Sequence, residues 1–472
     1  MMDNIPGLFG RNEEFNNTLK KFEDMLQKKK AAYFDVEDFI NVINFLLQSN
    51  QREKARKVIS IGLRQHPNTE ELMLKEAQVH IASKNFGKAK QLLIKLLNIT
   101  NGNAEIYYFF GKLYLGAKNM VKALRNYNAA LSIADTEEKM ELLYLITDDL
   151  MDDLKFAQAI NYFHMILQLD KYDFEAIIDL TTCYNEIGKT EKALELCNGF
   201  LDRDTYNEMV WFHMGMLYER AGFDSEAINA YEFAIAIEPE YSTAYYSLSE
   251  MYSKMGRYDM ASRYLKELVE QEPKNAHAHY LLGENYVQEL KDDKAMRCFE
   301  KTLSLMSDFA DAWFGIGEIY FREDKTTESL FYTKKAIKHD ANEPIYWYRL
   351  GIIHQNRKQL NYAILAFKKV MQLDPYDELA AIRLGECLFE NKSFEKTIKL
   401  CNEVGEKFKT CQINFLHGAA QCELGNLTEA LKHIETGLKK DLQGFDSFVY
   451  FFPKILSFDA VKKLVNKIQN EE

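Results

Sequence analysis

Three pairs of side chains recur in the sequence at a spacing suited to binding a cation. Each pair is an aromatic residue followed four positions later by a glutamate, and successive pairs are 34 residues apart. The pairs are Tyr246 and Glu250, Tyr280 and Glu284, and Phe314 and Glu318. Residues four apart share one face of a helix, so each ring adjoins a carboxylate. Such faces suit lysine and arginine, through cation–π contacts and charge-assisted hydrogen bonds, and predict a basic, partly apolar protein segment as ligand.

Other residue types that carry chemistry do not form a recognisable site. The pair His277 and His279 could bind a metal, but residues two apart on a helix diverge by roughly 200°, which favours a structural role. The seven cysteines include no Cys-x-x-Cys pair and are expected to be reduced thiols. Phosphate-loop, dinucleotide-binding, nucleophile-elbow and His-Glu-x-x-His motifs are absent. We therefore predict no enzyme activity, no metal and no cofactor.

A repeat of 34 residues organises the elements that carry the pairs. Alanine recurs at this interval along most of the chain, and placing it at position 20 gives twelve copies. All three tryptophans (211, 313 and 347) then fall at position 4, and seven glycines fall at position 8. The copies begin at residues 36, 70, 104, 140, 174, 208, 242, 276, 310, 344, 378 and 411.

The columns of the repeat predict two antiparallel helices in each copy. Positions 4, 7, 8 and 11 form one stripe, and positions 20, 24 and 27 form another. Small residues at 8 and 20 let the two backbones approach, while aromatic residues at 4, 11 and 24 fill the surrounding space. Glycine at position 15 ends the first helix and proline at 32 ends the second. One copy shows most of these features: Trp211, Gly215, Tyr218, Gly222, Ala227, Tyr231 and Pro239.

This pattern resembles the tetratricopeptide repeat (TPR) family. The resemblance implies an all-α, right-handed superhelical solenoid of antiparallel helix pairs, in which the first helices line a concave groove that holds partner segments. Positions 2, 5, 9 and 12 lie one step from the packing stripe and are expected to face the groove. The predicted partner-binding residues are Tyr108, Tyr144, Asp148, Phe212, Tyr246, Glu250, Tyr280, Glu284, Phe314, Glu318, Tyr348 and Glu386. The alternative is that the rings pack against the next first helix; in either case we expect the acids to lie in solvent.

Three segments follow from the repeat register. Residues 1–35 are predicted to hold a capping helix with Phe15, Leu19, Phe22, Met25 and Leu26 on one stripe. Residues 36–444 hold the twelve repeats, and residues 445–472 are predicted to form a degenerate repeat that caps the other end. A solenoid needs such caps because its terminal repeats otherwise expose apolar faces.

Composition and charge narrow the possible functions. The formal net charge is -12, which disfavours nucleic acid and anionic membranes as partners. The sequence lacks a signal peptide and a membrane-length apolar run, so we expect a cytoplasmic protein without direct membrane insertion.

The favoured function is a non-catalytic scaffold or adaptor. Twelve repeats offer a long surface, and the segment Tyr33–Phe39 together with the regular register resembles uncharacterised bacterial TPR proteins, which are often adaptors for assembly, secretion or envelope complexes. A regulatory subunit of an enzyme complex is the alternative. RNA binding ranks third because the predicted groove is acidic. The oligomeric state stays open.

Overall fold

The computed structural model describes residues 19–22, 33–49, 51–100, 102–405, 407–408, 410–441, 444–445, 448–449 and 453–469. No residue within these ranges lies in a β-strand. The chain divides into two compact units, Met1–Ala230 and Tyr231–Glu472. We describe each unit by itself.

The first unit carries the first six predicted repeats as helix pairs. Its helices are α1 (Val36–Gln48), α2 (Arg52–Gln65), α3 (Glu70–Ala82), α4 (Phe86–Ile99), α5 (Ala104–Gly116), α6 (Met120–Ile133), α7 (Thr136–Asp152), α8 (Phe156–Leu169), α9 (Phe174–Glu186), α10 (Thr190–Leu201), α11 (Glu208–Ala221) and α12 (Asp224–Ile237). The boundary between the units falls within α12.

The second unit continues with the last six pairs and a short C-terminal addition. Its helices are α13 (Ser242–Lys254), α14 (Tyr258–Gln271), α15 (Ala276–Gln288), α16 (Asp292–Leu305), α17 (Ala310–Arg322), α18 (Thr326–His339), α19 (Pro344–Asn356), α20 (Leu360–Leu373), α21 (Glu378–Glu390), α22 (Phe394–Gly405), α23 (Cys411–Glu423) and α24 (Leu427–Leu438), then a 3₁₀ turn (Pro453–Ser457) and α25 (Asp459–Gln469). The predicted all-α architecture of antiparallel helix pairs is confirmed. The handedness of a superhelix stays a prediction.

Side chains that accept backbone hydrogen bonds fix where several first helices begin. Asn103, Asp173, Asn207 and Asn275 each accept a backbone N–H from the first turn of the helix that follows. The fourth first helix, α7, begins at Thr136 rather than at residue 140. It begins earlier because the Asp135 carboxylate accepts the N–H groups of Glu137 and Glu138 one turn upstream.

A left-handed residue at position 15 separates the two helices of a pair. The four predicted glycines there, Gly188, Gly222, Gly256 and Gly425, have φ between 72° and 83°. Seven other copies adopt the same conformation without glycine, at φ between 55° and 59°; these residues are Lys84, Lys118, Leu154, Leu290, Asp324, Lys358 and Lys392. The conformation is therefore set by the turn itself, and glycine only lowers its conformational cost.

Within a pair, the glycine at position 8 lies against the ring at position 24. A methyl group added to Gly111 would overlap the Tyr127 ring, and one added to Gly283 would lie 2.6 Å from the Phe299 ring. Both rings are fully buried, as is Ala295 at position 20 of the same pair as Phe299. The predicted close approach of the two helices is confirmed. Cys197 and Cys401 occupy position 24 as buried core side chains.

The tryptophans at position 4 anchor each first helix to the turn before it. Each indole Nε1 donates to the backbone carbonyl six residues earlier, at 2.9 Å for Trp211, Trp313 and Trp347. His279 occupies the same position, and its Nε2 lies 3.1 Å from the carbonyl oxygen of Pro273, also six residues earlier. The structural role predicted for the histidine pair is confirmed for this residue.

Apolar side chains cover the described ends of the array. Phe22 is buried and stacks on Phe34, with ring centroids 3.8 Å apart. Leu19 packs at the same cluster, and the rest of the predicted N-terminal stripe, Phe15, Met25 and Leu26, lies outside the described residues. At the C-terminal end Val461 and Val465 of α25 join the core cluster that contains Ile434.

The packing contact at position 8 can be tested with two glycines. Gly283→Ala should destabilise the protein by about 1–3 kcal/mol, because the new methyl group overlaps the Phe299 ring. Gly199→Ala is the control: Gly199 lies in α10, and a methyl group added there would have no neighbouring atom within 4 Å, so alanine should stabilise the helix by about 0.5–1 kcal/mol. Urea unfolding followed by circular dichroism measures both, and equal effects would contradict the contact.

Candidate functional site

The three aromatic–acid pairs lie together on the first helices of the second unit. Two adjoining pockets, of about 460 and 380 Å³, share Tyr280 and Glu284. Tyr246 and Glu250 line the first pocket, and Phe314 and Glu318 line the second. The structure thus brings all six residues onto one surface of α13, α15 and α17, which we call the ladder groove.

The remaining groove-facing columns contribute to the same surface. His277 at position 2 and Ser253 at position 12 line the first pocket. Asp311 and Ile345 at position 2 and Val287 at position 12 line the second. Residues from other positions line the pockets as well, among them Ser249, Asn285 and Gly315.

An aromatic cluster forms the wall of the first pocket. The His277 ring centroid lies 5.7 Å from that of Tyr246 and 6.3 Å from that of Tyr280, and Tyr280 lies 4.9 Å from Phe309. His277 is exposed, so its imidazole faces the groove while His279 serves the fold. Burial raises the pKa of the Tyr246 and Tyr280 hydroxyls, which therefore stay protonated. The wall offers ring faces and hydroxyl groups to a bound side chain.

Glu284 is a carboxylate without a cationic partner. Its side chain is half-buried and is hydrogen-bonded to the Tyr280 hydroxyl, while no lysine or arginine in the described part of the chain pairs with it. Burial, together with the nearby carboxylates of Asp311 and Glu318, raises the pKa of Glu284 to about 6. At neutral pH the groove therefore holds a negative charge that the protein itself leaves uncompensated.

The other predicted acids of the second unit, Glu250, Glu318 and Glu386, have cationic partners. Arg349 Nη2 donates to Glu318 Oε2 at 2.5 Å, and Arg383 Nη1 donates to Glu386 Oε2 at 2.9 Å. The Glu250 side chain is 66% exposed and pairs with Lys254 at 2.8 Å. The expectation that the ladder acids lie in solvent is right for Glu250 but wrong for Glu284 and Glu318, which are half-buried; Glu386 is half-buried as well.

Tyr348 and Glu386 lie outside the two pockets. The Tyr348 ring meets the Phe367 ring edge-on at 5.6 Å, and its hydroxyl is hydrogen-bonded to Arg383, which also pairs with Glu386. These two predicted residues thus belong to an internal polar cluster. Asp311 lines the second pocket and accepts a hydrogen bond from the Tyr346 hydroxyl.

In the first unit the predicted residues do not form a comparable groove. Tyr108 is 3% exposed and Phe212 is 9% exposed, so the prediction that these rings face a partner is wrong; the Tyr108 ring packs 5.9 Å from that of Tyr127 inside the unit. Tyr144 is half-buried, and its hydroxyl is hydrogen-bonded to the side chain of Asp173, which caps α9. Asp148 is exposed.

Sequence analysis did not predict that Lys112 in the first unit lies near both an aromatic ring and a carboxylate. Lys112 Nζ lies 5.8 Å from the centre of the Tyr108 ring and pairs with the carboxylate of Asp149, which also accepts the Tyr127 hydroxyl at 3.1 Å. Asp149 is buried at position 10, one residue beyond the predicted column. A run of two aspartates, Asp148 and Asp149, was the only signal for it in the sequence.

Metal clusters, disulfides and membrane-spanning helices are absent from the described residues. Within them, histidine, cysteine and acidic side chains form no group of three or more suited to a metal ion. All seven cysteines are free thiols, six of them buried. In the same part of the chain no helix has the length and apolar character needed to cross a bilayer.

Family models match two parts of the chain. The model described as tetratricopeptide repeat matches residues 225–284, and that of anaphase-promoting complex, cyclosome, subunit 3 matches residues 356–437. The first of these segments contains two of the three aromatic–acid pairs.

Curated relatives and solved structures resemble parts of the chain. Human Superkiller complex protein 3 is 25% identical over 218 residues, 44% of this chain and 14% of that protein. Human cilia- and flagella-associated protein 70 is 24% identical over 208 residues, 42% of this chain and 18% of that protein, so the chain spans less than a fifth of either relative.

The C-terminal part of a TPR repeat-containing protein from Cytophaga hutchinsonii has a TM-score of 0.43 and 18% identity, covering 51% of this chain and 99% of that one. The anaphase-promoting complex hetero-tetramer Cut9-Hcn1 has a TM-score of 0.38 and 15% identity, covering 86% of this chain and 97% of that one.

The uncompensated charge of Glu284 makes stability depend on pH. Its pKa is raised from 4.5 to about 6 in the folded protein, so ionisation opposes folding as the pH rises through about 6. Glu284→Gln should therefore stabilise the protein by about 1–2 kcal/mol near pH 7.5 and have little effect near pH 4, where the carboxyl group is protonated in both states. Urea unfolding at the two pH values measures the difference.

Glu250→Gln is the matched control for this measurement. The exposed Glu250 lies on the same face one repeat earlier, and its removal should change stability by less than about 0.5 kcal/mol at either pH. A destabilising Glu284→Gln near pH 7.5 would show that the carboxylate is structural and would overturn this account of the groove.

Proposed function

We propose that this chain, which is built from tetratricopeptide repeats, is a non-catalytic scaffold that holds a basic, partly apolar segment of a protein partner in the ladder groove. A lysine or arginine of the partner pairs with Glu284 in the shared part of the two pockets. The apolar stem of that side chain, or a neighbouring apolar residue, packs on the rings of Tyr280 and Phe314, which line the same surface.

The observation that carries this proposal is the unpaired, half-buried Glu284 between aromatic side chains. Burying a carboxylate without a partner costs free energy, whereas burying it against a cation restores part of that cost. The second pocket also contains Arg322, but this guanidinium pairs with Asp292 at 2.5 Å and is already engaged. A cationic ligand supplies the charge that the groove lacks.

The first unit contains an internal precedent for this contact. Lys112 sits near the Tyr108 ring and pairs with the buried Asp149, so an aromatic–acid setting in this same fold accommodates a lysine. In the ladder groove the corresponding cation comes from another molecule. This comparison favours a basic side chain over an acidic or neutral one at Glu284.

The similar proteins support a place in a larger assembly. Two of the names matched, a subunit of the anaphase-promoting complex and Superkiller complex protein 3, are those of components of complexes. We propose that this chain likewise acts within an assembly, as an adaptor for one of its proteins. The acidic groove and the net charge of -12 favour a protein partner over nucleic acid.

Peptide binding tests the proposal. A short fluorescein-labelled peptide in which lysines alternate with leucines should bind the wild-type protein, as measured by fluorescence anisotropy. Glu284→Gln should weaken this binding about tenfold, because it removes a charge-assisted hydrogen bond. The wild-type affinity should fall as the pH is lowered from about 7.5 to about 5, because Glu284 becomes protonated over this range.

Glu300→Gln is the control for loss of a negative charge outside the groove. Glu300 is exposed on α16, a second helix, and is absent from the lining of both pockets. The substitution should leave the affinity for the peptide within about twofold of the wild-type value, because salt screens the interaction between the bound peptide and an exposed charge outside the groove. Equal affinities for wild type and Glu284→Gln would overturn the proposed function.

A further inference from the structure

A further pocket lies among the helices of repeats ten and eleven, apart from the ladder groove. A cleft of about 520 Å³ opens between the second helices α20 and α22. Its floor is apolar and draws on the first helix α21 as well as on α20 and α22; the floor residues are Met371, Leu384, Leu388, Leu400 and Val404. None of these residues belongs to the ladder groove.

Repeat eleven differs from repeats seven and nine at positions 11 and 23, whose side chains line this cleft. In repeat seven the residues at positions 11 and 23 are Tyr252 and Tyr264, which stack with ring centroids 5.8 Å apart; Tyr264 also donates to Glu232 on the preceding second helix at 2.5 Å. Repeat nine has the equivalent pair Tyr320 and Tyr332, 5.4 Å apart.

In repeat eleven the same two positions hold Leu388 and Leu400, which are shorter and lack the hydroxyl group. Tyrosine pairs stand at these positions in repeats seven and nine, whereas in repeat eleven the two leucines line an apolar cleft, with Leu400 only partly buried.

The rim of the cleft is basic. Four lysines and one glutamate line it: Lys368, Lys396, Lys399, Lys407 and Glu403. Glu403 engages only Lys399, at 3.8 Å and with both side chains well exposed, which is a weak contact. A strong positive charge around an apolar floor is unusual in a chain whose net charge is -12.

We propose that this lysine-rimmed cleft binds an acidic amphipathic segment of a second protein partner. Glutamate or aspartate side chains of the segment pair with the lysines, and one or two large apolar side chains enter the space above Leu388 and Leu400. The surface is independent of the ladder groove in location and opposite in charge, so the scaffold holds two segments of different chemistry.

A peptide with helically spaced leucines tests the cleft. The probe is a fluorescein-labelled peptide that carries leucines four residues apart among glutamates, with binding measured by fluorescence anisotropy. Wild type should bind it, and the double variant Lys396→Glu/Lys399→Glu should lose at least about tenfold in affinity. Arg297→Glu is the matched control, because Arg297 is exposed at the same repeat position as Lys399 in repeat eight; it should bind like wild type.

A second variant tests the apolar floor with every lysine intact. Leu388→Tyr/Leu400→Tyr recreates the tyrosine pair of repeats seven and nine and should close the cleft, which abolishes binding of the acidic peptide. Binding of the lysine–leucine peptide by this variant should be unchanged, so loss of the cleft and failure of the ladder groove are distinguishable. Should the tyrosine variant fail to fold, the lysine variant still decides.

Three results would overturn the proposal. The first is that the acidic peptide does not bind the wild-type protein. The second is that it binds both double variants as tightly as it binds the wild-type protein. Alternatively, a single-stranded oligouridylate binds wild type as tightly as the peptide and competes with it, which would assign the lysines to nucleic acid.

Discussion

The close contact between the glycine at position 8 and the ring at position 24 of the partner helix, present in repeats three, eight and ten, is the constraint on which the rest of the structure depends. Gly111 and Gly283 have no room for a methyl group because the Tyr127 and Phe299 rings lie against them. This contact fixes the rotation of the first helix about its own axis. Once that rotation is set, each position of the first helix takes the same orientation every 34 residues, and position 5 borders both the groove and the partner helix: the Tyr280 ring centroid lies 6.0 Å from that of Phe299. The ladder groove is therefore a geometric consequence of the core packing.

The groove also shows how one repeat architecture treats buried acids in different ways. Asp149, Glu318 and Glu386 each have a cation within the chain, from Lys112, Arg349 and Arg383 respectively. Glu284 has a tyrosine hydroxyl and two carboxylates as neighbours, and its pKa is raised to about 6. Burial raises the pKa of Glu318 and Glu386 as well, but their guanidinium partners oppose that rise, whereas no cation opposes it at Glu284. Of these four acids, Glu284 is the one whose charge the described residues leave uncompensated.

The sequence predicts the helix pairs well because they depend on periodicity. The alanine column at position 20 sets the register of every first helix, and α7 departs from it only because Asp135 caps that helix one turn early. Periodicity does not predict which column members are covered by neighbours. Tyr108 follows the column rule yet is buried, since the Lys112–Asp149 pair and Tyr127 close over it. Arg349 lies at position 6, outside every column considered, and reaches Glu318 from the next repeat. Contacts between repeats depend on side-chain length and charge, which a single repeat cannot encode.

The same reasoning explains how opposite charges arise on the two faces of the second unit. First-helix residues at positions 5 and 9 face one side, and second-helix residues such as Lys396 and Lys399 face the other, so their composition can vary independently of the packing columns. In repeat eleven Leu388 and Leu400 stand where repeats seven and nine carry a tyrosine pair, and there an apolar floor is accessible between lysines. Shape and charge thus change together in repeat eleven. A core substitution without the lysines would expose an apolar surface, and lysines without the substitution would leave only a charged surface. Their coincidence is what distinguishes a binding cleft from a packing defect.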